Sequence, residues 1–277
     1  TTISGAITNN AGASANFSAQ DNHSIALNSI ANNGTIIFTG ANTISGAITG
    51  ANGSATIASG TVNFNNSVTQ NALTVNSATA NFANALNATD LTNSGIIYIS
   101  AGNLNISNTV NNSGTISLGN GTLTTQIGLN ANAGTVNITG NVQNSNNNKI
   151  KQDKINVNTG AVLTSNASDL IASSGITNAA TLNFAGGNIA SNVSGAGNTY
   201  VKGDVTNSNG KTITQTAIDV VSGSLTSDAS KLIASDKINN SATLNITGGT
   251  LGSKLVNNAT TNVSGSTNVN NTVTNVG

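Results

Sequence analysis

The sequence predicts an all-β chain wound as a right-handed parallel β-helix. Three observations predict it: a strand-forming composition that is poor in helix formers, two internal repeats with a common submultiple, and an apolar–Asn–apolar motif that recurs at that interval.

Composition sets the class. Among 277 residues there are 52 Asn, while Lys and Asp, eight of each, are the only charged side chains. Arg, Glu, Pro, Cys, Met and Trp do not occur. Helices need Glu, Lys, Gln, Arg and Leu on their solvent faces, and those residues are scarce here. Thr, Val and Ile fit a pleated strand, and Asn and Gly fit corners that need positive φ. A polar, low-complexity chain is also a candidate for disorder. The regular placement of Ile, Val, Leu and Phe argues against it.

The repeats set the coil. Thr2-Ile3-Ser4-Gly5-Ala6-Ile7-Thr8 returns unchanged at Thr43 to Thr49, an offset of 41. Leu170-Ile171-Ala172-Ser173, Ala180-Thr181-Leu182-Asn183-Phe184 and Gly186-Gly187 return 62 residues later as Leu232 to Ser235, Ala242 to Ile246 and Gly248-Gly249. Read as two and three turns, both offsets give a unit near 20.6 residues.

Inside each coil the last position of the motif runs through Phe17, Phe38, Phe64, Phe82, Ile99, Leu118, Ile138, Val157, Phe184, Tyr200, Val220, Ile246 and Val263. Its spacings of 16 to 27 residues imply about thirteen coils. Alternation with period two marks a strand with one buried face. It turns inward Ile36, Val62, Ile97, Ile116, Val136, Ile155, Leu182, Ile218 and Leu244, two residues before these markers. Between them Asn16, Asn63, Asn81, Asn137, Asn156, Asn183, Asn245 and Asn262 face outward, where stacked amides form a hydrogen-bonded ladder. Coils about 4.8 Å apart give a rod on the order of 60 Å long. Lipocalin-like barrels and immunoglobulin sandwiches are antiparallel and give no reason for such a period.

We expect residues 1–277 to be one continuous solenoid. Residues 1–148 are nearly uncharged, and 149–277 carry all eight lysines and the 62-residue repeat, read as three coils. Three coils look long, with extra residues between Phe38 and Phe64, Val157 and Phe184, and Val220 and Ile246. The last two contain the corners 165–174 and 227–237, expected as longer turns, with a Ser or Asp cap and one helical turn before Leu232-Ile233. Gly186-Gly187 and Gly248-Gly249 are expected to turn corners at positive φ rather than to cradle phosphate.

Little chemistry is expected. Glycoside hydrolysis, found in other β-helices, needs two carboxylates within about 10 Å. Of Asp21, Asp90, Asp153, Asp169, Asp204, Asp219, Asp228 and Asp236, only Asp204 and Asp219 lie about one coil apart, and no Arg is present to stabilise an oxyanion. His23, the one histidine, is expected at the surface. No catalytic, cofactor or metal residues are assigned; clustered Cys or His and Gly-Gly-x-Gly-x-Asp nonapeptides, which metal sites would need, do not occur. A net charge of zero argues against a nucleic-acid groove that neutralises phosphate. Lys149, Lys151, Asp153 and Lys154, then Lys231, Asp236 and Lys237, are the densest charge groups, and are read as solubilising edge residues. Asn-x-Ser/Thr triplets are frequent by composition and imply no glycosylation. Ice-binding solenoids would need strict Thr-x-Thr rows. Without cysteine the chain suits passage across a membrane unfolded.

Asn111-Asn112-Ser113-Gly114-Thr115-Ile116, Asn132-Ala133-Gly134-Thr135-Val136-Asn137-Ile138-Thr139-Gly140-Asn141-Val142 and Ser241-Ala242-Thr243-Leu244-Asn245-Ile246-Thr247-Gly248-Gly249 resemble passenger-domain repeats of type V autotransporters. The Asn-rich, charge-poor texture is similar to large rickettsial surface antigens and extends to filamentous-haemagglutinin-like proteins. The resemblance implies a right-handed β-helix displayed on a Gram-negative surface for adhesion or coating. Partners would be a host-cell or matrix surface, or neighbouring copies, with membrane attachment through a translocator barrel that these residues do not contain. A protease domain is likewise missing, so a non-enzymatic role is expected. A self-assembling filament or surface-layer subunit is the alternative, and a polysaccharide-active enzyme a more distant one.

Overall fold

The computed structural model describes residues 1–20, 23–128, 133–144 and 147–276. Among them there is no α-helix, and neighbouring coils pair in parallel, giving a β-solenoid of about 14 turns. The chain divides into two compact units, Thr1–Asn137 and Ile138–Gly277.

In the first unit each coil visits three faces. The first face holds Ser24–Leu27, Ala41–Ile44, Thr61–Phe64 and Thr79–Phe82, then the leading residues of Ile96–Ala101 and Thr115–Leu123. Its inward column is Leu27, Ile44, Phe64, Phe82, Ile99 and Leu118. The second face holds Ile30–Asn32 and Ile48–Thr49, then the first halves of Val68–Val75, Leu86–Asn93 and Leu104–Asn112. Here Ile30, Ile48, Val68, Leu86, Leu104 and Leu123 stack. On the third face, Phe17, Phe38, Ile57 and Val75 stack in register.

The second unit repeats this plan. Leu163, Leu182, Thr199, Ile218, Ile238 and Leu255 form one inward column. Val205, Leu225, Leu244 and Thr261 form another. A third contains Ile155, Ile176, Val193, Ile213 and Leu232. One coil has no core of its own, so these columns exist only because coils cover one another. Each fully buried Val, Leu, Ile or Phe contributes roughly 1.5–3 kcal/mol.

The period-two alternation identifies the core correctly. Ile36, Val62, Ile97, Ile116, Val136, Ile155, Leu182, Ile218 and Leu244 are all at 0 % exposure. The single marker series, however, crosses faces. Phe38 pairs with Ile57 on the third face, and Phe64 pairs with Ile44 and Phe82 on the first. The four phenylalanines of the first unit therefore make two stacked pairs, Phe17–Phe38 at 5.5 Å and Phe64–Phe82 at 4.7 Å. Phe38 and Phe64 meet edge to face at 5.9 Å across the core. Tyr200 is likewise not in the inward column: it points outward beside Asn183, and Val201 pairs with Phe184.

The three long coils disappear with the same correction. Val157 pairs with Asn178 and Val220 with Asn240, while Phe184 and Ile246 stack on Ser165 and Ser227. Along the column from Leu163 to Leu255 the steps are 19, 17, 19, 20 and 17 residues. The offset of 41 does span two coils, because Thr2 lies under Ala26 and Ala26 under Thr43. The offset of 62 does not span three. Leu182 reaches Ile238 after three coils, and Leu244 lies on the following face. All three faces carry the same apolar–polar–apolar pattern, so the repeat has advanced three coils and one face.

The corners at 165–174 and 227–237 consequently do not project as extra loops. Ala167–Asp169 and Ala229–Lys231 are single 3-10 turns with Ala167 and Ala229 buried. Asp228 caps the second turn as the sequence suggests, accepting from the Ser230 N–H at 2.8 Å. Gly186, Gly187, Gly248 and Gly249 have φ of 149°, 87°, 143° and 84°, the corner geometry expected of them.

Candidate interaction surface

Two kinds of polar ladder follow from the stacking. On the outer faces, Asn81 Nδ2 donates to Asn63 Oδ1 at 2.7 Å, and Asn262 Nδ2 to Asn245 Oδ1 at 2.9 Å. Elsewhere the column alternates amide with hydroxyl: Asn245 donates to Thr226 Oγ1 at 3.1 Å, and Asn183, expected at the outer surface but buried at 4 % exposure, donates to Thr164 Oγ1 at 3.0 Å. The expected amide ladder is therefore real but interrupted. Asn16 sits beside Ile37, and Tyr98 follows Asn81.

The second ladder is buried, and the sequence reading missed it. Asn9 Nδ2 donates to Asn32 Oδ1 at 2.7 Å, and Asn32 Nδ2 donates to Gln70 Oε1. Asn93 donates to Asn112 at 2.7 Å, and Asn240 to Asn257 at 2.8 Å. In the second unit Asn178 donates to Gln215 Oε1. Asn32, Asn112, Asn178 and Asn240 are all at 0 % exposure. Four of these side chains also close their own turn: the Oδ1 of Asn32, Asn93, Asn178 and Asn240 accepts the N–H two residues on, at 3.1–3.2 Å. The signal was present in the sequence as Asn-x-Gly/Ala-Thr before a strand: Asn32-Asn33-Gly34-Thr35, Asn112-Ser113-Gly114-Thr115, Asn178-Ala179-Ala180-Thr181 and Asn240-Ser241-Ala242-Thr243.

Asp204 and Asp219 do not converge. Asp204 pairs with Ser224 on one face, and Asp219 lies between Tyr200 and Asn239 on another. Several carboxylates serve local turns. Asp90 accepts from Asn108 at 2.8 Å and Asp204 from the Ser224 hydroxyl at 2.9 Å. The Ser174 and Ser173 hydroxyls hold the Asp153 carboxyl below its ordinary pKa, and the Ser230 hydroxyl and N–H do the same for Asp228. Asp169 differs: it is buried, and desolvation raises its pKa against the opposing Lys149 charge and an Asn166 hydrogen bond. Asp236 and His23 are exposed; Asp21 and Asn132 lie outside the described residues.

Lys149 and Lys154 are exposed, Lys151 is half-buried, and Lys237 and Lys254 occupy adjacent coils next to the paired Ile238 and Leu255. Lys202 Nζ lies 5.9 Å from the Tyr200 ring centroid. Among the described residues no three His, Cys, Asp or Glu side chains group as metal ligands, and no helix is long and apolar enough to cross a membrane.

In the first unit a groove of about 400 Å³ follows the bend from the second face to the third, lined by Thr69, Asn87, Asn105, Thr124, Ile106 and Ser107 among others. Compared with known proteins, the chain matches no family model, no curated protein and no solved structure.

Proposed function

We propose that this chain is an exposed segment of a bacterial surface adhesin or coat, acting outside the cell as a repetitive scaffold for contact with host cells, matrix or neighbouring cells. The observation that carries the reading is the outer columns. The Asn63–Asn81, Asn87–Asn105 and Asn245–Asn262 pairs present amides on successive coils, with Thr and Ser between them. Such a surface offers many similar weak contacts at strand spacing, and avidity then comes from repetition rather than from one deep pocket. A cysteine-free chain suits export in an unfolded state.

The test is direct. Fluorescently labelled chain should be retained saturably on host cells or matrix-coated surfaces, and unlabelled chain should compete it off. Retention no greater than that of an unrelated β-solenoid of similar size overturns the proposal.

A further inference from the structure

The groove in the first unit has a specific chemical character. Its rim is the outward column of the second face, where Asn105 Nδ2 donates to Asn87 Oδ1 at 2.8 Å and Thr124 Oγ1 donates in turn to Asn105 Oδ1. Ala51 lies exposed along it, and Ala88 and Ile106, inward residues of the same strands, reach its base with only 8 % and 6 % of their surface. A volume of about 400 Å³ falls within the small-ligand range of roughly 300–1,000 Å³.

Three features narrow the occupant. Among the described residues no charged side chain lines the groove, so an ionic ligand would lose its hydration without a counter-charge. Val68–Val75 and Leu86–Asn93 beneath it have strand neighbours on both sides, and Leu104–Asn112 pairs with Leu86–Asn93 along its length and with Leu123 through Leu104, so the two strands at its centre offer no backbone edge to an extra strand from a peptide. What remains is side-chain chemistry. Each ladder bond uses one amide hydrogen or one lone pair, and an Asn amide has two of each. The rim therefore presents alternating donors and acceptors at about 4.8 Å spacing, beside the exposed methyl of Ala51. Hydroxyl groups that both donate and accept, carried on a ring with apolar C–H faces, match that pattern.

We infer that this groove binds a neutral, linear oligosaccharide, lying across successive coils with its hydroxyls on Asn87, Asn105 and Thr124 and a ring face against Ala51. The inference rests on the adhesin reading and assigns that surface a ligand class.

The experiment is titration of the whole chain, by calorimetry or by NMR shifts, with neutral glucan and N-acetylhexosamine oligomers, and with a sulfated and an acidic polysaccharide for comparison. Binding of at least one neutral oligomer is expected. Combined Asn87→Ala and Asn105→Ala should weaken it about tenfold, the loss of roughly 1.4 kcal/mol. Ser107→Trp, which fills the groove from an exposed position, should abolish it, while Asn33→Ala, exposed and outside the groove's lining, should leave it unchanged. Circular dichroism and urea midpoints show whether each variant folds, and Ser107→Trp carries the test where the double variant does not fold. Failure of every neutral oligomer, preference for the anionic polymers, or binding that survives Ser107→Trp overturns the inference. If saturable retention on cells persists while neutral oligomers fail, only the ligand class is lost; loss of that retention too removes the adhesin reading.

Discussion

Thr199 sits at 0 % exposure between Leu182 and Ile218, and its hydroxyl has no hydrogen-bond partner. An unsatisfied buried hydroxyl costs about 1–3 kcal/mol, and Val has almost the same shape. Thr199→Val should therefore stabilise the second unit by about 1 kcal/mol, read as a higher urea midpoint at unchanged slope. Asp169 makes a pH-dependent counterpart. Burial raises its folded pKa above the unfolded value, so its contribution is fully present below the unfolded pKa and is lost as pH rises through the folded pKa. Asp169→Asn removes that loss: the variant should match the native chain in acid and exceed it at neutral pH, measured by urea midpoints at both. Asp153, lowered by Ser174 and Ser173, acts in the opposite sense, favouring the fold above its unfolded pKa and losing that effect as pH falls through the folded one. Neither Thr199 nor Asp169 could be singled out from sequence. Thr occupies inward and outward positions alike, and the burial of Asp169 comes from a 3-10 turn.

The element that organises the corners is the buried amide. Asn32 accepts from Asn9 and from the Gly34 N–H, and donates to the Ser54 carbonyl and to Gln70. Asn32→Ala leaves all four partners short of a bond inside the protein, and should cost about 3 kcal/mol. Its neighbour Asn33 is exposed, and Asn33→Ala should stay within about 0.5 kcal/mol. Equal urea midpoints for the two variants would remove the ladder from any structural role. Gly50 shows how tightly the same corner is built: at φ 121° a Cβ would lie 1.8 Å from the Asn32 carbonyl oxygen. The strands were readable because apolar side chains such as Ile36 and Val62 reveal their direction by type and period. The corner amides were not, since Asn populates the outer ladder, the turns and the buried ladder of the same coil. Only the following Gly or Ala, needed where Gly34 approaches the Asn10 and Ala13 carbonyls, separates the buried kind.

At the scale of the whole chain, parallel stacking was readable because types repeat, and the coil length was overestimated because three faces repeat the same types. Leu182 and Leu244 are alike in sequence while lying on different faces. The groove on the second face was not readable at all: Thr69, Asn87, Asn105 and Thr124 meet only once the coil length is known. That register makes a sharp demand on insertions. Thr61 lies under Thr79, and Phe64 under Phe82, so a tandem duplication of residues 61–78 in the first unit sets every later residue over a partner of its present type. The added coil brings its own Val62, Phe64, Val68, Gln70, Leu73 and Val75, all buried in the native structure, and nearest-neighbour stacking makes its contribution additive. The duplicated chain should keep its β-sheet circular dichroism, resist proteolysis at the junction and show a steeper urea dependence, since more surface is buried. An insertion of half that length, with similar composition, lands each inward side chain between faces and must be extruded as a loop. It should be cut rapidly by protease and leave the urea slope unchanged. Equal protease sensitivity in the two constructions would mean that coils are not the unit of stability in this fold.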